Sequence, residues 1–277
     1  MSKFIQALAF AILAFTVPAF AEETNFKSTL ERAKILVEDQ RLDEAVKLYT
    51  EVLEKQPAHP LALFQMGWIS NEKHQFEQAI KYLKPLENTP GCNHKVWNEL
   101  AFAYRRLGRG DEARKAYESA CKSKDDYAPA WLGLGEVLFQ LKKDYPAAAQ
   151  AYEKGLALAP NNAVASYRLG WCLNDAGQSE RALPHLIKAV QLEPKYQAAY
   201  TDLAFCQLKL SKPKEALDAC QKALKLDKNS VLAHYYAGLA YLRLEQKDKL
   251  KDHLEALRKL SPERAKKLEA ATKPKTT

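Results

Sequence analysis

Six histidines and five cysteines carry the side chains best suited to acid–base, nucleophilic or metal chemistry in this chain of 277 residues. The histidines, at positions 59, 74, 94, 185, 234 and 253, are scattered, and none forms the i, i+4 pair around a carboxylate that a zinc hydrolase helix uses. Cys92-Asn93-His94 is the one close Cys/His group, and with no matching pair elsewhere a disulfide or a loop thiol is expected there rather than a metal. There is no phosphate-cradling Gly-rich loop, no serine elbow and no carboxylate pair that stands out from ordinary helix-surface charge. Catalysis, metal and cofactor are therefore not expected, and the chain reads as a non-enzyme whose work is recognition.

The elements that would position recognition residues are written in a comb of small side chains. Ala33, Gly67, Ala101, Gly135, Gly170, Ala204 and Gly238 are spaced by 34 residues, with one interval of 35. A second comb follows twelve or thirteen residues behind at Ala45, Ala79, Ala113, Ala148, Ala182 and Ala216, and Leu250 breaks it in the last copy. Small residues where two antiparallel helices cross let their axes approach to about 8–10 Å. Apolar residues at i, i+3, i+4 and i+7 around each mark give every segment one buried face.

With its Trp97, Leu100, Ala101, Tyr104, Gly108, Ala113, Tyr117 and Ala120, and again with Trp131, Leu134, Gly135, Ala148, Tyr152, Gly155 and Pro160, the chain resembles the tetratricopeptide repeat (TPR) proteins. The resemblance implies an all-α fold, a right-handed superhelical solenoid of antiparallel helix hairpins. It divides the chain into a solenoid of about seven repeats over 22–264, a capping helix at 262–271 and a flexible tail at 272–277. Pro85, inside a second helix, should kink or end it. The extra residue near Lys142-Lys143 should lengthen a turn, and Leu250 should loosen the last hairpin.

In the resembled family, fixed positions of the first helix of each repeat line a concave groove. Carried over residue by residue, they give an aromatic strip, Phe64, Trp68, Phe102, Phe139, Tyr167, Trp171, Phe205 and Tyr235, with Asn71 and Asn174 one turn from the two indoles. An amide there can donate to and accept from the backbone of an extended peptide. Arg105 and Arg106 add charge suited to a carboxylate. Trp97 and Trp131 fall at a packing position and are expected in the core. The lysines and asparagines of the chaperone-tail clamp are not reproduced, since Leu30, Lys34 and Glu99 stand at its positions. In the same frame Cys92 and Cys121 sit at adjoining helix ends, a candidate disulfide, with Cys206 and Cys220 a second possible pair. Cys172 and Cys206 read as buried small side chains.

Met1 to Ala21 has the form of a secretory signal: Lys3, an apolar run from Phe4 to Val17, Pro18, and Ala19-Phe20-Ala21 as a cleavage site. An uncleaved anchor is the alternative. The expected setting is periplasmic or secreted, with membrane association only through a partner or an uncleaved signal. The net charge of +8, of which Lys3 supplies one, is spread over helix faces without a compact basic motif, so no nucleic acid is expected. The function expected is a protein-protein adaptor of the bacterial cell envelope, monomeric without its partner, that binds a peptide or partner helix in the groove. The alternative is a structural or oligomeric scaffold working through its ends or convex face.

Overall fold

The computed structural model of the protein describes residues 26–273; the expected signal at 1–21 and the end of the expected tail, 274–277, lie outside the described residues. Among the described residues every regular element is helical. The chain divides into two compact units, Met1–Asp125 and Asp126–Thr277.

The first unit holds α1 over 26–38, α2 (Leu42–Lys55), α3 (Pro60–Glu72), α4 (Phe76–Leu83), α5 (His94–Arg106) and α6 (Gly110–Ser123). These pair as antiparallel hairpins, and α3 and α5 also touch side by side. Ala33, Ala45, Ala79, Ala101 and Ala113 are fully buried where the helices cross. At Gly67 a Cβ would come within 2.3 Å of Leu83 Cγ, so the crossing of α3 and α4 has no room for a methyl group. Ala33, Ala45, Tyr49, Val52, Ala62, Met66 and Ile69 form one core cluster.

The second unit holds α7 (Ala128–Val137), α8 (Tyr145–Leu158), α9 (Ala163–Asp175), α10 (Ser179–Leu192), α11 (Gln197–Lys209), α12 (Pro213–Leu226), α13 (Val231–Arg243), α14 (Lys247–Leu260) and α15 (Pro262–Ala271). Here the first helices α9, α11 and α13 lie in a row, each backed by its partner, and α15 packs on α13 and α14. Several first helices begin at a side-chain cap: His59 Nδ1, Asn93 Oδ1, Asn162 Oδ1 and Ser230 Oγ each accept from a backbone N–H of the first turn.

Each hairpin turns on one residue in the left-handed region, at Gln40, His74, Gly108, Lys143, Gly177, Ser211 and Glu245. The following N–H reaches back to a carbonyl of the last helical turn, as in Arg109 N to Tyr104 O (2.9 Å) and Gln178 N to Leu173 O (2.8 Å).

The irregular positions behave in physically specific ways. The helix containing Pro85 ends at Leu83, and a 3₁₀ turn, Lys84–Leu86, takes the proline in its first positions, where no N–H is needed. The extra residue does not lengthen the turn as expected; it is absorbed as a π turn over Leu138–Lys142, so that Asp144 N bonds Leu138 O. Leu250 is buried, and a depression of about 490 Å³ lined by Tyr241, Leu242 and Leu250 lies beside it. Trp97 and Trp131 are half-buried rather than in the core, and Lys154 Nζ lies 4.1 Å from the Trp131 ring centre.

No disulfide joins Cys92 to Cys121, nor Cys206 to Cys220; all five cysteines are thiols. Cys121 is turned into the buried face of α6 beside Ala120, whereas Cys92 sits half-exposed in the turn before the Asn93 cap.

Candidate functional site

The aromatic residues singled out from the sequence lie on first helices and remain half-buried: Phe64 and Trp68 on α3, Phe102 on α5, Tyr167 and Trp171 on α9, Phe205 on α11 and Tyr235 on α13. Phe139 is half-buried too, within the π turn that ends α7. What each of them meets differs between positions.

In the first unit Trp68 packs partly against the Met66 and Ile69 cluster. Phe102 meets Phe76 edge-on at 6.1 Å, and the guanidinium groups of Arg105 and Arg106 lie 5.3 and 5.8 Å from its ring. Arg105 Nε is buried without a hydrogen-bond partner among the described residues. The two arginines expected to await a carboxylate are thus engaged with rings, although Arg106 stays exposed.

Asn71 does not present its amide to solvent. It is 2% exposed, and Nδ2 donates to the Glu99 carbonyl (3.0 Å) and to Glu99 Oε2 (2.9 Å), tying α3 to α5. Burial raises the Glu99 carboxyl above its ordinary range, against the opposing bonds from Asn71 and Asn98. Asn174 is likewise buried, its Oδ1 accepting from Ser179 Oγ at 2.7 Å. The peptide-holding role expected of both amides is therefore corrected: a neighbouring helix, absent from a single-helix view, engages Asn71 Nδ2 and Asn174 Oδ1, while Asn71 Oδ1 is buried without a hydrogen-bond partner among the described residues.

The second unit carries the more complete site. Trp171 stands edge-on to Phe139 (5.2 Å) and Tyr145 (4.8 Å), which fixes its indole between α7 and α8. Arg168 pairs with Glu136 and lies 5.3 Å from the Phe139 ring. Beside Trp171 opens a depression of about 440 Å³, lined by Tyr167 and Trp171 of α9, by Gln197, Thr201 and Asp202 of α11, by Asp227 at the end of α12 and by Ser230 at the start of α13. The Tyr167 hydroxyl donates to Asp202 Oδ2 at 2.8 Å. Burial raises the Asp202 carboxyl above its usual range, partly countered by that bond, and both burial and Asp202 raise the Tyr167 phenol. Gln197 Nε2 donates to Thr201 Oγ1 and Ser230 Oγ, setting the floor. Farther along, Phe205 stacks on Tyr236 at 5.2 Å with Lys209 Nζ 4.8 Å from its ring, and Arg264 covers Tyr235.

Sequence reasoning missed Tyr145, Gln197, Asp202 and Asp227. Asp202 had a readable signal: it holds the same frame position as Glu99, and both are part-buried carboxylates.

The tetratricopeptide repeat family pattern matches residues 30–91 and 98–163. The chain is a tetratricopeptide repeat protein. A second pattern of TPR type, that of subunit 3 of the anaphase-promoting complex, or cyclosome, matches 141–223 of this TPR protein. Among solved structures it is similar to YrrB, described as a TPR protein with an unusual peptide-binding site, at 25% identity and a TM-score of 0.61, over 70% of this chain and 97% of YrrB. Among curated relatives it is 26% identical to BBSome complex member BBS4 of Bos taurus over 82% of this chain, and 27% identical to the type IV pilus assembly protein PilF of Pseudomonas aeruginosa over 52%. The chain spans 44% of the length of BBS4 and 59% of PilF. TPR proteins mediate protein-protein interaction, and a protein or peptide is the class of partner this fold binds.

Proposed function

We propose that the protein is a non-catalytic adaptor of a bacterial cell envelope, holding an extended peptide or a partner helix against the aromatic face of its first helices. The observation that carries this reading is the open depression beside Trp171, where a fixed indole, a phenol and a desolvated carboxylate converge. Half-exposed Trp and Tyr are the side chains that most often dominate binding energy. The likeness to YrrB, with its peptide-binding site, and to PilF of pilus assembly supports the same reading. The envelope location is drawn from the signal-like residues Met1 to Ala21.

The test is an array of random nonapeptides probed with the purified protein and with Trp171→Ala. Wild type should select a subset of peptides, and Trp171→Ala should weaken them by about 2 kcal/mol, roughly 30-fold. Binding of no peptide by wild type, or equal binding by the variant, overturns the adaptor reading. N-terminal sequencing of the protein from fractionated cells should begin at Glu22; a cytosolic protein retaining Met1 overturns the envelope location.

A further inference from the structure

The first-helix face of the second unit repeats one local arrangement, a cation laid on an aromatic ring. Phe139 carries Arg168, Phe205 carries Lys209 and Tyr235 carries Arg264, each with the charged atom between 4.8 and 5.3 Å from the ring centre. Tyr167 and Trp171 break the pattern. Among the described residues no Lys or Arg lies over either ring, although they border the depression and face its carboxylates. Charge is missing at the same place: Asp202 forms no ion pair among the described residues, its recorded partner being the neutral Tyr167 hydroxyl, and burial disfavours its ionised form. Asp227, an exposed lining residue, accepts a hydrogen bond from the backbone N–H of Asn229 and likewise forms no ion pair among the described residues. Tyr167 packs on Tyr196 at 4.8 Å and Trp171 on Phe139 and Tyr145, so both rings are held by aromatic neighbours rather than by a cation. In a chain with eight more basic than acidic residues, this hollow pairs two carboxylates with two rings over which, among the described residues, no cation lies.

We infer that the hollow is a specificity pocket for a lysine or arginine side chain of the bound peptide. The inference rests on the adaptor reading and adds the chemistry of one residue of the partner. The aliphatic stem would lie along Trp171 and Tyr167, and the charged head would reach Asp202, with Asp227 at the rim. About 440 Å³ accommodates one long side chain together with its flanking backbone. A cation restores the charge balance that burial upsets at Asp202, and the carboxylate, already oriented by Tyr167, loses little freedom in receiving it. An acidic or short apolar residue would leave Asp202 desolvated and unpaired, which makes the pocket discriminate against both.

The experiment compares nonapeptides selected from the array in matched sets, with lysine, arginine, norleucine, citrulline or glutamate at one position, measured by titration calorimetry against wild type, Asp202→Asn and Asp227→Asn. The basic peptides should bind wild type about ten-fold more tightly than their norleucine and citrulline counterparts, the effect of one hydrogen-bonded charge. Asp202→Asn keeps the size of the side chain and its bond to Tyr167, and should reduce that preference to within about two-fold. Asp227→Asn should reduce it less, since the rim is solvated. Peptides that bind wild type with no basic preference, or a preference that survives in Asp202→Asn, overturn the pocket and leave the adaptor reading standing. Failure of wild type to bind any peptide overturns both. The wild-type comparison needs no variant, so a misfolded Asp202→Asn does not block the answer.

Discussion

Cys92 is half-exposed in a turn, while Cys121, Cys172, Cys206 and Cys220 are buried in helix faces. Burial pushes the thiols of Cys172 and Cys220 up to about 12 and that of Cys206 to about 11; burial and the nearby Glu87 raise Cys92 as well. Access therefore decides reactivity, and an alkylating reagent at neutral pH should modify Cys92 first, with Cys220 reacting only on unfolding. Peptide mass mapping after brief exposure checks this; modification of Cys220 at the rate of Cys92 would contradict the buried thiol. The burial of Cys172 and Cys206 was legible because their place in the period faces inward. Asn71 and Asn174 were not legible in the same way. A periodic frame gives the face of a helix on which a residue lies, but Glu99, which takes the Asn71 amide, stands 28 residues away on another helix. Asp202 is the reverse case: its position was in view, yet only tertiary burial makes a carboxylate there unusual.

At the scale of the element, the seven left-handed residues recur with the period of the small-residue comb, and one turn geometry closes every hairpin of the described residues except that at Lys143, where the π turn intervenes. Only two of them are glycine. At Gly177, φ is +76° and nothing lies within 4 Å of an added Cβ, so Gly177→Ala meets backbone strain and no clash, and should cost about 1–2 kcal/mol. Ser211→Gly removes the same strain at φ 58° and should stabilise, by less than about 1 kcal/mol after the entropy of the freer unfolded chain is counted. Urea titration checks both, and equal midpoints for Gly177→Ala and wild type would show that the turn relaxes. Hairpin α13/α14 carries a second testable feature. His234 and His253 meet through their Nδ1 atoms at 2.9 Å, and His253 stacks on Tyr241, over which Lys249 also lies. Burial, and secondarily the charge of His234, lowers the His253 pKa to about 4, while Asp252 opposes. A folded pKa below the unfolded one, near 6.5, means the unfolded chain binds more protons between these values. His253 therefore contributes a loss of stability as pH falls from about 6.5 to 4. His253→Gln should flatten the fall in melting temperature over that window, and an unchanged slope would place the proton elsewhere. The hairpins themselves were legible because one small residue per helix must recur for the crossings to close. The π turn at Leu138–Lys142 was not, since an inserted residue can enter either the loop or the helix end, and packing around Phe139 decides which.

A solenoid is held together by neighbour contacts, so its stability is close to a sum of hairpin terms and terms for each junction between neighbours. The outermost hairpin has one junction fewer, and in this molecule α15 supplies the missing one for α13 and α14. Leu268 is fully buried and lies where a Cβ on Gly238 would come within 2.3 Å of its Cδ2, so the small residue of the last hairpin is filled by the added helix. Ala265 is buried beside it, and Arg258 holds Glu269 at 2.7 Å on the outer surface, an exposed pair of small weight. Leu268→Ala should therefore cost about 2–5 kcal/mol at that end, the range for emptying a buried leucine site. Truncation after Ser261 should cost more, because it uncovers α13 and α14 together. Nearest-neighbour coupling then predicts where the loss appears. Amide exchange should accelerate most in α14 and α13, less in α12 and α11, and not measurably in α3 or α5. A uniform acceleration along the chain would mean that the hairpins unfold as one cooperative block. No acceleration in α13 would mean that Leu268 does not close the stack in solution. The gradient also reaches function, because Ser230 at the start of α13 and Asp227 at the end of α12 line the depression beside Trp171. Loosening α13 by truncation should weaken peptides bound there while leaving Trp171 and Tyr145 in contact, which separates support of the site from the site itself.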